Sequence, residues 1–506
     1  MAQQLQNITV AAPGFAGLNT QDSPIGGDPS FAAVADNCVI DKLGRIGARK
    51  GWEAVSSNGA AVLGSSRGIE AVFEYVKRDG TKIVFSAGNN KIFTGTSTLA
   101  AVTLPSGYSI SANNWKIVSF NNDVYFFQRA HAALVSVAGS TTLIAVADGG
   151  TAAPAANEVL AAYGRLWAAD ITANKYVVYW SDLLDGDDWH GGSSGSLDLT
   201  LVWPTGFDEV VALAAHNNFL IIFGKKSMLV YSGASSPASM TLADTVEGVG
   251  CIARDSVQHT GTDILFLSET GVRSFGRTIQ EKSMPMRDIS KNIRTDLLSL
   301  IPLQTNAIKS LYSSEEAFYL LTLPDSNTVY CFDMRRQLED GSNRVTTWSS
   351  MYPLSFVSLE GGAIYIGISS GIVEYKNYMD GAVKYEMRYF SNPMDFGNTS
   401  NLKFLKKFNL TIIGGQNTPT TLNWGYDYSA SFTKQAFTFS SSNIAEYGLA
   451  QYNTTGEYTS SILINTPKVN TSGSGEVATI GIEAEVNGAA FSIQKIDIHA
   501  LLGRLI

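Results

Sequence analysis

The chain has 506 residues, of which 45% are hydrophobic and 16% charged, and its formal net charge is −9. That length accommodates two or three domains with a large core, and a charged fraction below the roughly 25% of an average soluble domain favours a β-rich chain whose surface is covered by neighbours. Most of the acidity lies in residues 69–384, which carry a net charge of −8 and are a poor match for tight nucleic-acid binding, because phosphates need Lys and Arg.

Three cysteines, Cys38, Cys251 and Cys331, lie far apart in the chain. An odd number at such spacing gives no disulfide framework and predicts free, buried thiols in a reducing compartment. The first residues lack the basic and apolar regions of a signal peptide, and no apolar run approaches the roughly 18 residues of a membrane span. We therefore expect a protein that is made in the cytoplasm and has no membrane span.

Residues 1–68 predict an irregular arm that packs on the rest of the protein or on neighbouring subunits. Prolines and glycines exclude a long helix in the first thirty positions. Residues 31–38 predict one or two helical turns, residues 41–44 a turn, and residues 45–52 a strand edge. The arm has too little apolar periodicity to form a domain by itself.

Between residues 69 and 384 one pattern recurs: a polar lead-in, a burst of β-branched and aromatic residues, a short turn and a second burst. Its successive anchors are separated by 41, 41, 55, 44, 54 and 46 residues. The anchors are Val84, Tyr125, Leu166, Ile221, Leu265, Tyr319 and Tyr365. A period in the forties built from short strands is typical of a β-propeller with one four-stranded blade per repeat. We predict about seven blades, or six if a terminal repeat is incomplete.

Two of these spacings exceed fifty residues and predict insertions near 181–209 and 278–305. The first insertion is rich in Gly, Asp and Ser. In the second, Asp288 precedes apolar residues at helical spacing, which predicts an amphipathic helix over 288–301 with Asp288 as its N-cap. A lone helix on a ring of strands more often covers an edge or a subunit contact than a substrate.

Residues 385–506 contain longer strands with clear alternation of apolar and polar positions, for example 403–413 and 478–486. Several such strands in one segment predict a C-terminal β-sandwich. The sequence therefore predicts an all-β protein with an N-terminal arm, a β-propeller and a C-terminal β-sandwich.

Three polar segments resemble catalytic or binding motifs. Residues 64–68 match the G-x-S-x-G nucleophile elbow but lie in a linker, without the strand and helix that the elbow requires. Residues 224–227 end like a phosphate-binding loop but belong to a hairpin. The acidic residues 181–190 fit neither an Asp-box nor an EF-hand. We interpret them as an inter-strand turn with Trp189 folded beneath it, and an adventitious calcium site is the alternative.

The five histidines are scattered and show no metal-ligand spacing. Aromatic residues recur in the blade strands, which favours core packing over a stacking platform. We therefore predict that the protein is not an enzyme, with no catalytic residues, no cofactor and no metal.

Short motifs lie at both ends of the chain. They occupy residues 17–24, 35–37, 40–41, 44 and 49–52 near the start, and 394–397, 403–407 and 496–504 near the end. Together with the order of arm, propeller and sandwich, these motifs resemble the tail nozzle, or tail tubular protein B, family of short-tailed bacteriophages. The resemblance covers most of the chain in order.

The resemblance implies a homo-oligomeric ring, a hexamer, in the virion tail. Such a ring lies below the portal and the tail adaptor ring, conducts duplex DNA transiently, and contacts tail fibres or a needle. On this basis we predict assembly contacts, which are Leu18, Arg45, Arg49, Trp52, Leu297 and Leu298. The family offers no catalytic residues to carry over.

Two alternatives remain open at this point. A receptor-binding or glycan-processing propeller needs Arg with Tyr or Glu, or paired carboxylates, at the centre of the ring. A scaffold propeller without a virus context needs neither. A monomeric protein that cleaves sugar would favour the enzyme, and oligomer size separates the tail protein from both alternatives.

Overall fold

A computed structural model describes the chain from residue 5 to residue 505, except for residues 24–26, 65–67, 112, 205, 277–287, 399, 417, 430, 440–443, 446–456 and 459–463. Within the described residues, strands dominate and helices are short. No described helix has the length and apolar character to cross a membrane.

The N-terminal arm consists of short strands. They are β1 (Leu5–Ala11), β2 (Gly17–Leu18), β3 (Phe31–Asp36), β4 (Cys38–Ile40), β5 (Ile46–Ala48) and β6 (Trp52–Ala54), followed by the helix α1 (Gly59–Leu63). The predicted helical turns over 31–38 are therefore wrong, because pairing with distant strands overrides the local preference of this segment. The turn at 41–44 is confirmed, since the Gly44 amide donates to the Asp41 carbonyl at 2.9 Å.

The propeller is confirmed: antiparallel sheets follow one another along the chain, each built mainly from consecutive strands. Blade 1 contains β7 (Ala71–Val76), β8 (Lys82–Gly88), β9 (Lys91–Thr94) and β10 (Ala100–Ala101). Blade 2 contains β11 (Trp115–Phe120), β12 (Asp123–Gln128), β13 (His131–Ser136) and β14 (Ile144–Ala145). A hairpin of β15 (Ala147–Asp148) and β16 (Thr151–Ala152) follows.

Two more four-stranded blades come next. Blade 3 contains β17 (Ala156–Ala162), β18 (Arg165–Ile171), β19 (Val177–Trp180) and β20 (Gly195–Asp198). Blade 4 contains β21 (Val210–His216), β22 (Phe219–Gly224), β23 (Ser227–Ser232) and β24 (Thr241–Glu247). Because β20 lies inside the predicted insertion 181–209, that segment is partly the outer strand of blade 3 and partly surface loop.

Blades 5 and 6 complete the run of sequential sheets. Blade 5 has β25 (Gln258–His259), β26 (Ile264–Ser268) and β27 (Gly271–Ser274). Blade 6 has β28 (Lys309–Ser313), β29 (Phe318–Leu323), β30 (Thr328–Gln337) and β31 (Asn343–Trp348). Among the described residues, six consecutive sheets thus form a six-blade arrangement between residues 71 and 348.

A further sheet, the closing sheet, joins both sides of the propeller. It contains β32 (Ser355–Ser358), β33 (Ile364–Ile368) and β34 (Gly371–Tyr375), and the arm strand β6 pairs with β34 as its fourth strand. Every sequence anchor lies on the second strand of its sheet, from Val84 on β8 to Tyr365 on β33. The predicted count of seven blades stays a prediction.

Two sheets of the remaining chain bury their inner faces in one hydrophobic cluster. The strands after residue 384 are β35 (Tyr385–Ser391), β36 (Asn401–Gly414), β37 (Pro419–Tyr426), β38 (Thr433–Thr438), β39 (Ile444–Ala445), β40 (Glu457–Tyr458), β41 (Ile464–Asn465), β42 (Lys468–Asn470), β43 (Ala478–Val486) and β44 (Phe491–Leu505). Of these, β39 and β40 pair with each other in a separate two-stranded sheet. One sheet has the order β4-β5-β44-β36-β41, with β1 on β44 and β42 on β36. The other continues from β31 of blade 6 through β3, β35, β43, β37 and β38. The predicted C-terminal sandwich stays a prediction.

The helix predicted over 288–301 is present but shorter. A 3-10 turn, Lys291–Ile293, precedes the helix α2 (Arg294–Leu300). The prediction of Asp288 as its N-cap is wrong: the cap position is Ile293, and Asp288 is buried beside the guanidinium groups of Arg273 and Arg294. The carboxylate pairs with cations there and does not accept from the helix amides. Residues 278–287 of the predicted insertion lie outside the described residues, and the described part of the insertion begins at Asp288.

We expect Leu297→Ala to lower the free energy of unfolding by about 2–5 kcal/mol, because Leu297 is fully buried in the main hydrophobic cluster. Leu298→Ala is the matched control, since Leu298 is only half-buried and its truncation leaves a smaller cavity. Urea denaturation of both variants measures the difference. Equal losses in the two variants would contradict the placement of α2.

Candidate functional site: the propeller axis and the junction cleft

The first strands of the blades surround the propeller axis. Neighbouring first strands contact each other: β7 touches β11, β11 touches β17, and β17 touches β21. On the other side β25 touches β28, β28 touches β32, and β32 touches β7. Between β21 and β28 the axis is approached by the 3-10 turn Arg254–Ser256, which precedes β25. This turn places two charged side chains at the centre of the ring.

Arg254 connects three parts of the ring. Its Nη2 donates to the Trp115 carbonyl of blade 2 at 3.0 Å, and its Nη1 donates to Oδ1 of Asn157 in blade 3 at 3.0 Å. Its Nε and Nη2 donate to the two carboxylate oxygens of Asp255 at 2.9 and 2.7 Å. Such a bidentate ion pair fixes the orientation of both groups. Arg254 is buried, and its hydrogen bonds hold blades 2 and 3 to the turn before blade 5.

Other charged side chains complete this axial network, defined as Lys116, Glu158, Arg254, Asp255 and Lys309. Lys309 Nζ lies 2.6 Å from Oδ2 of Asp255, and Lys116 Nζ lies 3.3 Å from Oε2 of Glu158. The second Glu158 oxygen accepts the Leu213 amide of blade 4 at 3.3 Å. The network therefore links blades 2, 3, 4 and 6, and its three cations face two carboxylates.

The two carboxylates of the network have different pKa values. Burial alone would raise the pKa of Asp255, but the charges of Arg254, Lys309 and Lys116 outweigh it and hold the pKa well below the usual 3.8. Burial raises the pKa of Glu158 above 4.5, and the nearby Lys116 and Arg254 only partly oppose it. Burial also lowers the pKa of Lys309, against the attraction of Asp255.

Two cavities flank the axial network. One, of about 150 Å³, is lined by Lys116, Asp255 and Lys309 among others. The other, of about 380 Å³, is lined by Arg129, Asp255 and several residues between 301 and 308 among others. Glu158 lines neither cavity, and its side chain is 1% exposed. The side chain with the raised carboxyl pKa is therefore shielded from a ligand in either cavity.

A larger cleft of about 720 Å³ opens where the arm, blade 6 and the C-terminal sheets meet. We call it the junction cleft. Its charged lining residues are four basic and two acidic ones, which are Lys42, Arg45, Lys50, Arg335, Asp41 and Glu316. Its apolar lining residues include Val39, Ile40, Phe318 and Ile413. Small residues at 414–415 and 488–490 form another wall. The net charge of the lining is +2, in contrast to the acidic chain as a whole.

Several cations of the junction cleft are held in place by internal contacts. Arg45 Nε lies 2.5 Å from Oδ2 of Asp41, and Lys50 pairs with Glu316. Lys42 is exposed and has no ion-pair partner in the described part of the chain. The cleft thus combines a fixed basic rim with one free ammonium group.

The arm is clamped behind this cleft by Arg49. Its Nη1 and Nη2 donate to the carboxylate oxygens of Asp380 at 2.8 and 2.7 Å, and its Nε donates to Oδ1 of Asn37 at 3.0 Å. The two remaining N–H groups donate to the Lys50 carbonyl at 2.8 Å and the Ser350 hydroxyl at 2.6 Å. All five guanidinium donors are therefore satisfied.

The structure separates the predicted assembly contacts into two groups. Leu18, Arg49 and Leu297 are buried within the chain. Arg45, Trp52 and Leu298 are half-buried, and only Arg45 lines the junction cleft. Contact of any of these six residues with another chain stays a prediction. The axial network was not predicted from the sequence, because its members come from separate segments and form no motif.

The turn predicted at 181–190 is confirmed. Trp189 is buried beneath it, and its Nε1 donates to the Gly186 carbonyl at 2.9 Å. Asp188, His190 and Asp148 of the β15–β16 hairpin have potential ligand atoms within 4.8 Å of one another. Asp188 Oδ1 already accepts the amides of His190 and Gly191, which lower its pKa. These hydrogen bonds within the turn are sufficient to explain why Asp188 and His190 lie close together.

We expect Asp255→Asn to lower the free energy of unfolding at pH 7 by about 3–5 kcal/mol, because buried Arg254 and Lys309 lose their shared counter-ion. Since the pKa of Asp255 is lowered in the folded state, its contribution is complete above about pH 4 and fades only below it. The difference between wild type and variant should therefore be equal at pH 7 and pH 5.

Urea denaturation at both pH values measures this difference, with Glu247→Gln on the exposed edge of blade 4 as the control. A loss under 1 kcal/mol for Asp255→Asn, or a loss that changes between pH 7 and pH 5, would contradict the assignment of Asp255 as the shared counter-ion.

No protein-family model and no curated protein matches the chain. Among solved structures it is similar to the WD40 propeller domain of Doa1, with 12% identity over 64% of this chain and 96% of that one and a TM-score of 0.38. It is also similar to BamB from Moraxella catarrhalis, with 9% identity over 66% of this chain and 85% of that one and a TM-score of 0.36. A third similar structure is PorZ, a component of the type-IX secretion system of Porphyromonas gingivalis. Its identity is 13% over 68% of this chain and 43% of that one, with a TM-score of 0.36. Likenesses this distant carry nothing about function, and the propeller assignment rests on the sheet topology.

Proposed function

We propose that this protein is a structural subunit of a virion tail, in the manner of the tail nozzle proteins of short-tailed bacteriophages. Six copies would form a ring at the distal end of the tail and serve as a channel for duplex DNA. The observation that carries the proposal is the filled propeller axis, where the axial network braces the blades against one another. The short motifs at both ends of the chain supply the virus context.

We also infer that the propeller has seven blades and that the closing sheet is the seventh. Its first strand β32 contacts both β28 of blade 6 and β7 of blade 1, which supports a place in the ring. The arm strand β6 supplies the outer strand, so the two ends of the propeller segment are joined by hydrogen bonds. The shared core of the two C-terminal sheets supports the β-sandwich in the same way.

The glycan-processing alternative is less well supported. Raised and lowered carboxyl pKa values in one site are the pattern of an acid and base pair, and Glu158 and Asp255 show it. A general acid must reach the glycosidic oxygen, however, and Glu158 is 1% exposed and ion-paired to Lys116. The two carboxylates therefore fit a structural role better than a catalytic one.

The acidic propeller suits a channel through which DNA passes. Residues 69–384 carry a net charge of −8, so their surface repels phosphate groups. Weak interaction lets the duplex slide, whereas a basic lining would hold it. In the proposed tail the ring contacts the adaptor ring on the capsid side and fibres or a needle on the other.

We expect the purified protein to form closed rings of six subunits in negative-stain images, with a matching mass by native mass spectrometry. Ring formation follows from the proposed role, since a tail tube needs several subunits around the DNA. A protein that remains monomeric at tens of micromolar would contradict the proposal, as would a glycosidase activity that Glu158→Gln abolishes.

We also expect the assembled protein to bind a short DNA duplex with a Kd weaker than roughly 10⁻⁴ M at physiological salt, the weak end of non-specific binding. Fluorescence anisotropy with a labelled duplex measures it. Binding in the nanomolar range that weakens steeply with added salt would argue against a passive channel.

A further inference from the structure

A loop of blade 3 carries exposed apolar side chains between acidic ones. We call residues 182–188 the blade-3 loop. Leu183 and Leu184 are 52% and 60% exposed, and four aspartates share the loop with them, which are Asp182, Asp185, Asp187 and Asp188. Burying a leucine side chain is favourable, so this loop gains stability by docking in an apolar site.

The shape of the blade-3 loop is fixed by hydrogen bonds to the propeller. The Leu184 amide donates to the Gly164 carbonyl at 2.8 Å, in the turn between β17 and β18. Nδ2 of Asn121, in the turn between β11 and β12, donates to the Leu184 carbonyl at 2.9 Å. The loop therefore lies on the face of the propeller that carries the turns between first and second strands, and little ordering is needed for it to bind.

The junction cleft has the complementary properties. Its floor includes the apolar side chains of Val39, Ile40 and Phe318, and its charged lining residues have a net charge of +2. On the turn at its edge Lys42 is exposed, and the neighbouring Leu43 is 63% exposed. An apolar floor with a basic rim fits an acidic segment that projects two leucines.

The positions of the two surfaces favour a cyclic assembly. The blade-3 loop lies beside the first turn of blade 3, and the cleft includes Glu316 in the first turn of blade 6, so both lie toward the same face. Blades 4 and 5 separate them along the ring in one direction, and the closing sheet with blades 1 and 2 in the other. Two different surfaces on opposite sides of one subunit make a head-to-tail contact, which generates a ring when the rotation closes.

We propose that the blade-3 loop of one copy docks in the junction cleft of the next, with Leu183 and Leu184 against the apolar floor and the aspartates near Lys42 and Arg45. This contact rests on the proposed ring and names the surfaces that build it. It requires no contact from the buried Leu18, Arg49 and Leu297, which serve the interior of the subunit.

The first experiment uses native mass spectrometry to compare the oligomeric state of one double variant and two single variants with that of wild type. Leu183→Asp with Leu184→Asp should convert rings into monomers while the melting temperature stays within a few degrees of wild type. Leu201→Asp is the matched control, because Leu201 is 97% exposed in the same insertion but lies outside the loop. Lys42→Glu should weaken ring assembly at least tenfold. Added salt should weaken the wild-type ring only in part, because the leucines contribute an apolar share of the contact.

A second experiment detects the contact directly. The cysteines Cys38, Cys251 and Cys331 are buried, so they give little background with a short bis-maleimide. The Lys42→Cys, Leu184→Cys double variant should give a ladder of cross-linked subunits that ends at the ring size. Each single variant should give none, and Leu201→Cys combined with Lys42→Cys should give much less.

The outcomes separate this contact from the function on which it rests. A cross-linked ladder and rings lost in the Leu183, Leu184 variant support the contact. Intact rings in that variant together with no ladder overturn the contact and leave the ring function standing. A wild-type protein that never forms rings overturns both.

Discussion

The structure depends on one buried cation. Arg49 is fully buried, and its guanidinium group uses all five donors on Asn37, Lys50, Ser350 and Asp380. Burial would lower its pKa, but hydrogen bonds and charge from Asp380 raise it, so the group stays charged although it is buried. The arm therefore cannot leave its place without exposing or stranding a charge, and the ends of the chain remain fixed to the propeller.

That constraint positions the junction cleft. Lys50, next to Arg49, lines the junction cleft, and the β4–β5 hairpin that forms the cleft's rim is held by the same arm. At the centre of the ring, Arg254 braces the blades in a comparable way, with Asp255 as counter-ion. Ion pairs thus link the blades to one another at the axis and link the arm to the residues that follow the closing sheet.

The sequence allowed the propeller strands to be predicted because their signal is local: alternation, hairpin turns and a regular spacing place every anchor from Val84 to Tyr365 on the second strand of a sheet. Long-range pairing left no such signal. Residues 31–36 form a strand because β35 and β31 pair with them, and Asp288 meets arginines in place of helix amides. Asp380 lies 331 residues from Arg49, so neither this pair nor the axial network, whose five residues come from four separate segments, could be deduced from spacing.

The most direct test is native-state hydrogen exchange, read by mass spectrometry, on wild type and Arg49→Met. In wild type, the amides of β5, β6 and β44 should open only together with those of the propeller strands β8, β12 and β22. In the variant, β5, β6 and β44 should open separately, at a free energy lower by about 3–5 kcal/mol, while the three propeller strands keep their protection. Unchanged protection of β5 and β6 in Arg49→Met, or early exchange of the arm in wild type, would contradict the account.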